Sequence, residues 1–411
     1  MKLAHVETPV AQPDVAGLRA PAPAADPTIL LPVSRPKLPS ADEILPYLRC
    51  IDDARWYSNL GPLATRLEEQ LSHHFGLSDR GVVATANATA GLTAALLARG
   101  VSAGSICVMP SWTFVASPHA ARCAGMKPWF HDVDRQTWAL NPDKVQETLN
   151  RIPAPVGAVM VVSPFGAPLD MEAWQAFEDR TGVPVVIDAA AGFDTARAFS
   201  IPTVVSLHAT KILGAGEGGF ILTGDRQLRD RAVGCSNFGF RGSRSALVPA
   251  LNAKMSEYHA AVALAGLACW PAIRSQHARI AEWYSQEIAR LEGVSLQPGY
   301  GTGWVSGTTN VVLPPGVMAR VSRHLRERGI DTRSWWGNGC HVQPAFEGYP
   351  RNPLPLTEDL GTRVLGLPHF PDMQGTDVAR VVEALSEALG QARSETTAVT
   401  NIGRSPPTCS A

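Results

Sequence analysis

The strongest constraint on the fold is a repeated alternation of short, continuously apolar runs with stretches of helical period. Gly81-Val-Val-Ala-Thr85, Ser105-Ile-Cys-Val-Met109, Gly157-Ala-Val-Met-Val-Val-Ser163 and Val183-Pro-Val-Val-Ile-Asp188 read as strands without a polar face. Between them lie an Ala/Leu-rich helix over 90–99, a helical stretch toward Gly125, and a helix from Asp170 to Thr181. Asn141 can cap another helix running to Asn150, and Pro128-Trp-Phe-His-Asp132 reads as extended. Strands with no polar face need cover on both sides, so the pattern predicts an α/β fold around a mostly parallel sheet. Ligands of such sheets sit beyond the carboxyl ends of the strands, and Thr85, Met109, Asp188 and His208 fall near such ends.

At 411 residues the chain exceeds one ordinary domain. After a helix-rich stretch over 255–292, strand-like Asn310-Val-Val-Leu313 and helices around 316–328 and 376–392 suggest a second, smaller unit. The expected organisation is an N-terminal arm and large domain over 31–292 and a small C-terminal α/β domain over 293–392. The Ala/Pro-rich tail over 1–30 and the Ser/Thr/Pro-rich tail over 393–411 are expected to be poorly ordered.

A formal net charge of −1 gives no reason to expect nucleic acid or an anionic membrane as a partner. The seven cysteines are scattered and form no CxxC pair, which points to a reducing compartment rather than a disulfide or zinc framework. The histidines form no HExxH and no close Cys/His cluster, so no metal site is expected. No segment is long and apolar enough to span a bilayer, and the first ten residues lack a signal-peptide core. A cytoplasmic location is the expectation.

Chemistry concentrates at two strand ends. Lys211 follows the apolar run of Val204, Val205 and Leu207 and precedes the glycine-rich Gly214-Ala-Gly-Glu-Gly-Gly219, a setting that can present an amine inside a cleft. Asp188 closes Pro184-Val-Val-Ile-Asp188, and a carboxylate in apolar surroundings needs a partner to stay ionised. Read alone, Asp188 is equally consistent with a helix cap. Together, an amine to hold an aldehyde and an acid to hold a pyridinium nitrogen are the groups that pyridoxal 5′-phosphate needs. Thr85-Ala-Asn-Ala-Thr-Ala-Gly91 links a strand to a helix with small residues, and its N–H groups and the Thr89 hydroxyl suit a phosphate. Ser206, five residues before Lys211, can reach the same phosphate. Trp112, just past the next strand end, is a candidate to stack on the pyridine face, with a packed core aromatic as the alternative. Gly214 to Gly219 formally fits GxGxxG, but the following Phe220-Ile-Leu-Thr reads as a strand, so the dinucleotide reading fails its context.

These blocks resemble the DegT/DnrJ/EryC1/StrS family of sugar aminotransferases, fold type I enzymes that use pyridoxal phosphate. The likeness runs from about Arg35 to about Leu389. It rests on Asn87-Ala-Thr-Ala-Gly-Leu92, Pro110-Ser-Trp-Thr-Phe-Val-Ala116, Val186-Ile-Asp-Ala-Ala190, Ser206-Leu-His-Ala-Thr-Lys211, Glu217-Gly-Gly-Phe220 and Leu251-Asn-Ala-Lys-Met-Ser-Glu257. The implied fold is a large domain with a mostly parallel mixed sheet plus a smaller C-terminal α/β domain.

The resemblance implies that Lys211 carries the cofactor and moves protons, that Asp188 pairs the pyridinium, and that Trp112 stacks on the ring. It assigns Ala88, Thr89 and Ser206 to the phosphate, and Asn252 to the phosphate bound in a neighbouring subunit, hence a homodimer with shared sites. Asn59 in Trp56-Tyr-Ser-Asn-Leu-Gly-Pro62, Arg333 in Asp331-Thr-Arg333 and His341 in His341-Val-Gln-Pro-Ala345 are implied to face the substrate.

The implied reaction is ping-pong transfer of an amino group, usually from L-glutamate, to a keto-sugar nucleotide. The Leu-His-Ala-Thr-Lys and Asn-Ala-Lys-Met-Ser-Glu forms resemble members acting at C4 more than at C3. Two positions depart from the family's pattern: Ala191 stands where many relatives place Gln or His, and Ser236 where an Arg is common. Dehydratase members carry histidine in place of the lysine, so Lys211 points away from that branch. The readings left open are another reaction on the same fold, a keto-cyclitol or natural-product ketone as acceptor, and a non-catalytic sensor that binds pyridoxal phosphate.

Overall fold

A computed structural model describes residues 28–78 and 80–390. The expected tails lie outside the described residues except for 28–30, where the Leu30 N–H already donates to the Gly329 carbonyl at 2.8 Å. The main sheet contains β1 Val82–Thr85, β2 Ile106–Pro110, β3 Lys127–His131, β4 Val156–Val162, β5 Val185–Asp188, β6 Thr203–Ser206 and β7 Gly219–Leu222. A second sheet contains β8 Ser295–Leu296, β9 Thr309–Val312 and β10 Val364–Leu367. Among the described residues, six α-helices precede the end of β5: α1 Ala41–Ala54, α2 Pro62–His74, α3 Ala88–Ala98, α4 Ala116–Cys123, α5 Pro142–Leu149 and α6 Met171–Thr181. After β7 come α7 Arg226–Ser236, α8 Glu257–Ala268, α9 Trp270–Ile288, α10 Met318–Glu327, α11 Pro355–Arg363 and α12 Gly375–Leu389.

The main sheet is ordered β1-β7-β6-β5-β4-β2-β3. Only β7 runs antiparallel to its neighbours, so the sheet is mixed but mostly parallel, as the apolar runs predict. The physical reason for those runs is visible in where alternate side chains go. Val82, Val108, Val159, Val161, Val185 and Ile187 enter one core with α2, α6 and α8, whereas Val83, Cys107, Met109, Ala158, Met160 and Val186 enter another with α3, α4 and α7. Both faces are covered, so neither set can be polar.

Helix starts follow local chemistry. Asn87, Asn141, Asp170, Asp225 and Ser256 each accept a backbone N–H at a helix N-terminus. Glu257, itself buried, does the same from a distance, taking the N–H groups of Leu63 and Ala64 at 2.7 and 3.0 Å and so fixing α2 against α8.

The 19-residue α9 joins the two sheets. Its Trp270 packs in the core of the main sheet, while Ile280, Tyr284 and Ile288 pack in the core of the second sheet with α10 and α12. Midway, His277 Nδ1 lies 2.8 Å from His369 Nε2, with the rings stacked at 5.0 Å, and His369 Nδ1 lies 2.8 Å from Thr309 Oγ1.

Burial pushes His277 down to about 4 and also lowers His369. In the unfolded chain these rings take protons near pH 6.5, so the folded state binds fewer protons below that pH. Stability is therefore lost as pH falls from about 6.5 toward 4, and His277 alone accounts for about 3 kcal/mol of the loss. Denaturant melts between pH 7 and 4 should show this slope, and it should flatten in His277→Gln.

Candidate active site

The carboxyl ends of β1, β5 and β6 meet at one edge of the main sheet. Asp188 pairs with Val162 of β4 and Val204 of β6, and Ser206 and Thr85 both pair with Gly219, the first residue of the reversed strand β7. Helix α3 begins against Gly219: a Cβ there would lie 2.8 Å from the Ala88 nitrogen. Only glycine allows that approach, which brings Ala88 and Thr89 beside Ser206. The Asn87 side chain takes the Ala90 N–H at 2.8 Å and its carbonyl takes the Gly91 N–H at 3.0 Å. The Ala88 and Thr89 N–H groups thus lie at the open start of the helix, where an anion is favoured.

Asp188 is buried at 5% exposure. Its Oδ2 accepts from Ser117 Oγ at 2.7 Å and its Oδ1 from the Ala190 N–H at 3.1 Å. Burial raises its pKa, opposed by those two hydrogen bonds and by the charge of Lys211. Lys211 sits in the turn between β6 and β7, tied by its own N–H to the His208 carbonyl at 2.9 Å. Burial lowers its amine from the ordinary lysine value, opposed by Asp188. Each group feels the other's charge, yet among the described residues no direct ion pair joins them. An acid and an amine held apart in a dry setting, with an anion seat alongside, is a donor set that fits pyridoxal phosphate. Lys211 would hold its aldehyde carbon, Asp188 its ring nitrogen, and Ala88, Thr89 and Ser206 its phosphate.

The structure corrects the placement expected of Trp112. That ring is 1% exposed, enclosed with Val133, Trp138, Phe165 and Trp336, and edge-on to Trp336 at 5.4 Å. The packed alternative prevails because Leu360 of α11 and Val364 of β10 pack with it. Phe114, two residues on, is 59% exposed and lies three residues before Ser117, the partner of Asp188. It is the aromatic available to a ring at this strand end.

The remaining expected residues are dispersed. His341 is buried, with Nδ1 2.8 Å from Ser111 Oγ and Nε2 3.8 Å from Glu358, so its ring anchors the small-sheet segment to the end of β2. Arg333 is exposed and lies over the Trp335 ring at 5.4 Å. Asn59 is exposed at φ +62° in a loop where Arg55 and Leu60 are also left-handed, strain that a non-glycine loop bears only with support. That support comes from Tyr57, whose carbonyl takes the Glu257 N–H and whose ring stacks on Tyr258. Asn252 is exposed, accepts from Lys254 Nζ at 2.6 Å, and flanks the Lys254–Thr85 bridge beside the phosphate seat. Ser236 is buried and turned onto the Val233 carbonyl.

A model of the DegT/DnrJ/EryC1/StrS aminotransferase family matches residues 40–386. The chain belongs to this family. It is accordingly a transaminase that depends on pyridoxal phosphate. Among solved structures, DesI, determined in the presence of its TDP-sugar product, is 32% identical, with a TM-score of 0.79 over 92% of this chain and 97% of that one. DesV of S. venezuelae is 26% identical with a TM-score of 0.77, covering 87% of this chain and 100% of that one. Protein Rv3402c of Mycobacterium tuberculosis is 29% identical, covering 87% of this chain and 90% of the relative. The aminotransferase shares with DesI and DesV the fold type I architecture, a mixed, mostly parallel sheet covered by helices.

Among the described residues, no group of His, Cys, Asp and Glu is placed to hold a metal ion, and no helix is long and apolar enough to cross a membrane.

Proposed function

We propose that this aminotransferase moves an amino group from an amino acid, L-glutamate in the leading case, to a keto-sugar nucleotide, with C4 as the preferred ring position. The observation that carries the reading is the buried Asp188 set against the desolvated Lys211 beside the Ala88–Ser206 seat. The likeness to DesI, whose structure was determined with a TDP-sugar product, supports the acceptor class.

When bound, pyridoxal phosphate supplies an aldehyde that takes up the amino group and a ring that accepts the electron pair released from the donor's Cα. The protein supplies the rest. Burial keeps the Lys211 amine in its neutral form more readily than in water, so it would be free to hold the cofactor's aldehyde carbon and, when released, to take and return the donor's Cα proton. Asp188 would hold a proton on the ring nitrogen, with Ser117 and the Ala190 N–H orienting its two oxygens. Ala88, Thr89 and Ser206 would fix the phosphate, which would make the proton transfer a matter of position rather than encounter. Phe114 replaces Trp112 in the reading as the aromatic against the ring.

Asn59, Arg333 and His341 belong to the acceptor side in this reading, His341 by positioning its segment through Ser111. Asn252 completes the phosphate seat of a second copy, so the working unit is a homodimer. Exposed Trp56, Tyr57, Phe238 and Tyr258 support that assembly, since aromatics left in water are suited to an interface. A cytoplasmic location and the division at residue 293 are part of the same proposal.

The test is the visible spectrum of the purified protein before and after L-glutamate, followed by a screen of keto-sugar nucleotides. Bleaching of the yellow band by L-glutamate and its return with a keto-sugar nucleotide is the expected result. A protein bleached by L-glutamate whose yellow band no keto-sugar nucleotide restores would exclude the acceptor class.

A further inference from the structure

The loop between β6 and β7 is held in two different ways. Ile212, Leu213 and Ala215 are buried, so packing fixes that half of it. His208 to Lys211 lie nearer the surface, with Thr210 exposed, and the shape of this stretch rests on hydrogen bonds.

The His208 side chain, 44% exposed, makes the bond that the backbone does not. Among the described residues the Thr210 N–H has no backbone partner. It donates instead to His208 Nδ1 at 3.2 Å, with the Thr210 hydroxyl alongside at 2.9 Å. A neutral ring that accepts at Nδ1 carries its proton on Nε2, and Nε2 faces Glu217 Oε1 across the hairpin at 3.7 Å. The His208 backbone acts toward both neighbours. Its carbonyl takes the Lys211 N–H at 2.9 Å, and its N–H goes to Ser206 Oγ at 3.1 Å. Because the Ser206 oxygen accepts there, its own proton is left to donate elsewhere.

We propose that His208 is a positioning residue, whose Nδ1 braces the turn that sets Lys211 and Ser206 in one fixed relation. The proposal rests on the reading of Lys211 and Ser206 as contacts to the cofactor. A turn outside the packed core otherwise lets the lysine stem wander, and a displacement of about 1 Å at a reacting group costs up to about 100-fold in rate. The acceptor at Nδ1, rather than the charge or bulk of the ring, is the feature that matters.

Two variants of the holoenzyme separate these possibilities. In His208→Asn the side-chain oxygen stands where Nδ1 stood and can take the Thr210 N–H, but the reach to Glu217 is lost. In His208→Gln the reach to Glu217 is kept and the acceptor beside Thr210 is lost. Release of the cofactor on dilution is followed by borohydride fixation and mass spectrometry, and bleaching of the yellow band is followed against L-glutamate concentration. In His208→Gln the cofactor should leave about 10-fold faster, and the plateau bleaching rate should fall by about 10- to 100-fold with half-saturation moved by less than about threefold. His208→Asn should stay within about threefold of wild type on each measure. Melting temperatures should stay level in both, because the side chain lies outside the core. Wild-type behaviour in His208→Gln, or equal losses in the two variants, would overturn the proposal. Faster cofactor release in His208→Gln, restored in His208→Asn, by a protein that L-glutamate does not bleach would support the brace and count against the L-glutamate reading alone.

Discussion

Turnover should fall by at least about 10⁴-fold when Lys211 is replaced by alanine, and borohydride should no longer fix cofactor to the chain. Two losses combine in this variant. The amine that anchors the aldehyde carbon is gone, and so is the base positioned to move the proton. Each depends on the lowered pKa that burial imposes on Lys211, because a lysine at its ordinary value is almost wholly protonated at neutral pH. The fold should survive, since the turn is held by backbone contacts, Lys211 N–H to the His208 carbonyl and Ala215 N–H to the Leu207 carbonyl. Mass spectrometry after borohydride reduction reads the covalent link, and far-UV circular dichroism reads the fold. Cofactor fixed by borohydride as in wild type would remove Lys211 from its role.

Asp188→Asn should leave cofactor bound and lower the rate by about 10²- to 10³-fold. Asparagine keeps the shape, with its Oδ1 still accepting the Ala190 N–H and its amide NH2 facing a Ser117 hydroxyl that can turn to accept, so packing changes little. What disappears is the negative charge that holds a proton on the ring nitrogen, and with it most of the ring's capacity to accept electrons. The loss should appear in the donor half-reaction, measured by single-turnover bleaching with L-glutamate. Near wild-type bleaching would make Asp188 a structural acid that only joins β5 to α4. The distinction matters because burial raises the pKa of Asp188, so the carboxylate needs its hydrogen bonds and a nearby cation to stay ionised.

Strand positions and the two central groups were legible in the sequence because both leave one-dimensional marks. A strand covered on both faces is apolar at every position, and a polar residue ending such a run, like Asp188 or Ser206, must lie at the ligand edge. The partners of those groups leave no such mark. Ser117 reaches Asp188 across 71 residues of chain from the start of α4, and nothing local to either announces the contact. Trp112 and Phe114 are indistinguishable in sequence as aromatics past a strand end; the difference is set by Leu360 and Val364, which arrive from the far end of the chain. The caps are partly legible: Asn141 and Asp170 mark helix starts in the sequence, and Asp225 plays the same part ahead of α7. β10 leaves no clear mark because Val364-Leu-Gly-Leu367 is short and interrupted by a glycine. That glycine is there for a neighbour, since a Cβ at Gly366 would meet the Trp335 ring nitrogen at 2.2 Å.

The reversal of β7 reaches beyond strand order. Because this strand runs against both neighbours, its first residue, not its last, stands at the ligand edge. The chain therefore leaves the edge at Ser206, turns through Lys211, and returns to the same edge at Gly219. One hairpin carries both Lys211, the proposed tether for the aldehyde, and Gly219, the glycine that lets α3 come close. The separation between those two points is set by the length of a single loop, which acts as a ruler for the molecule stretched along it. Insertions that most surface connections absorb would here change the gauge.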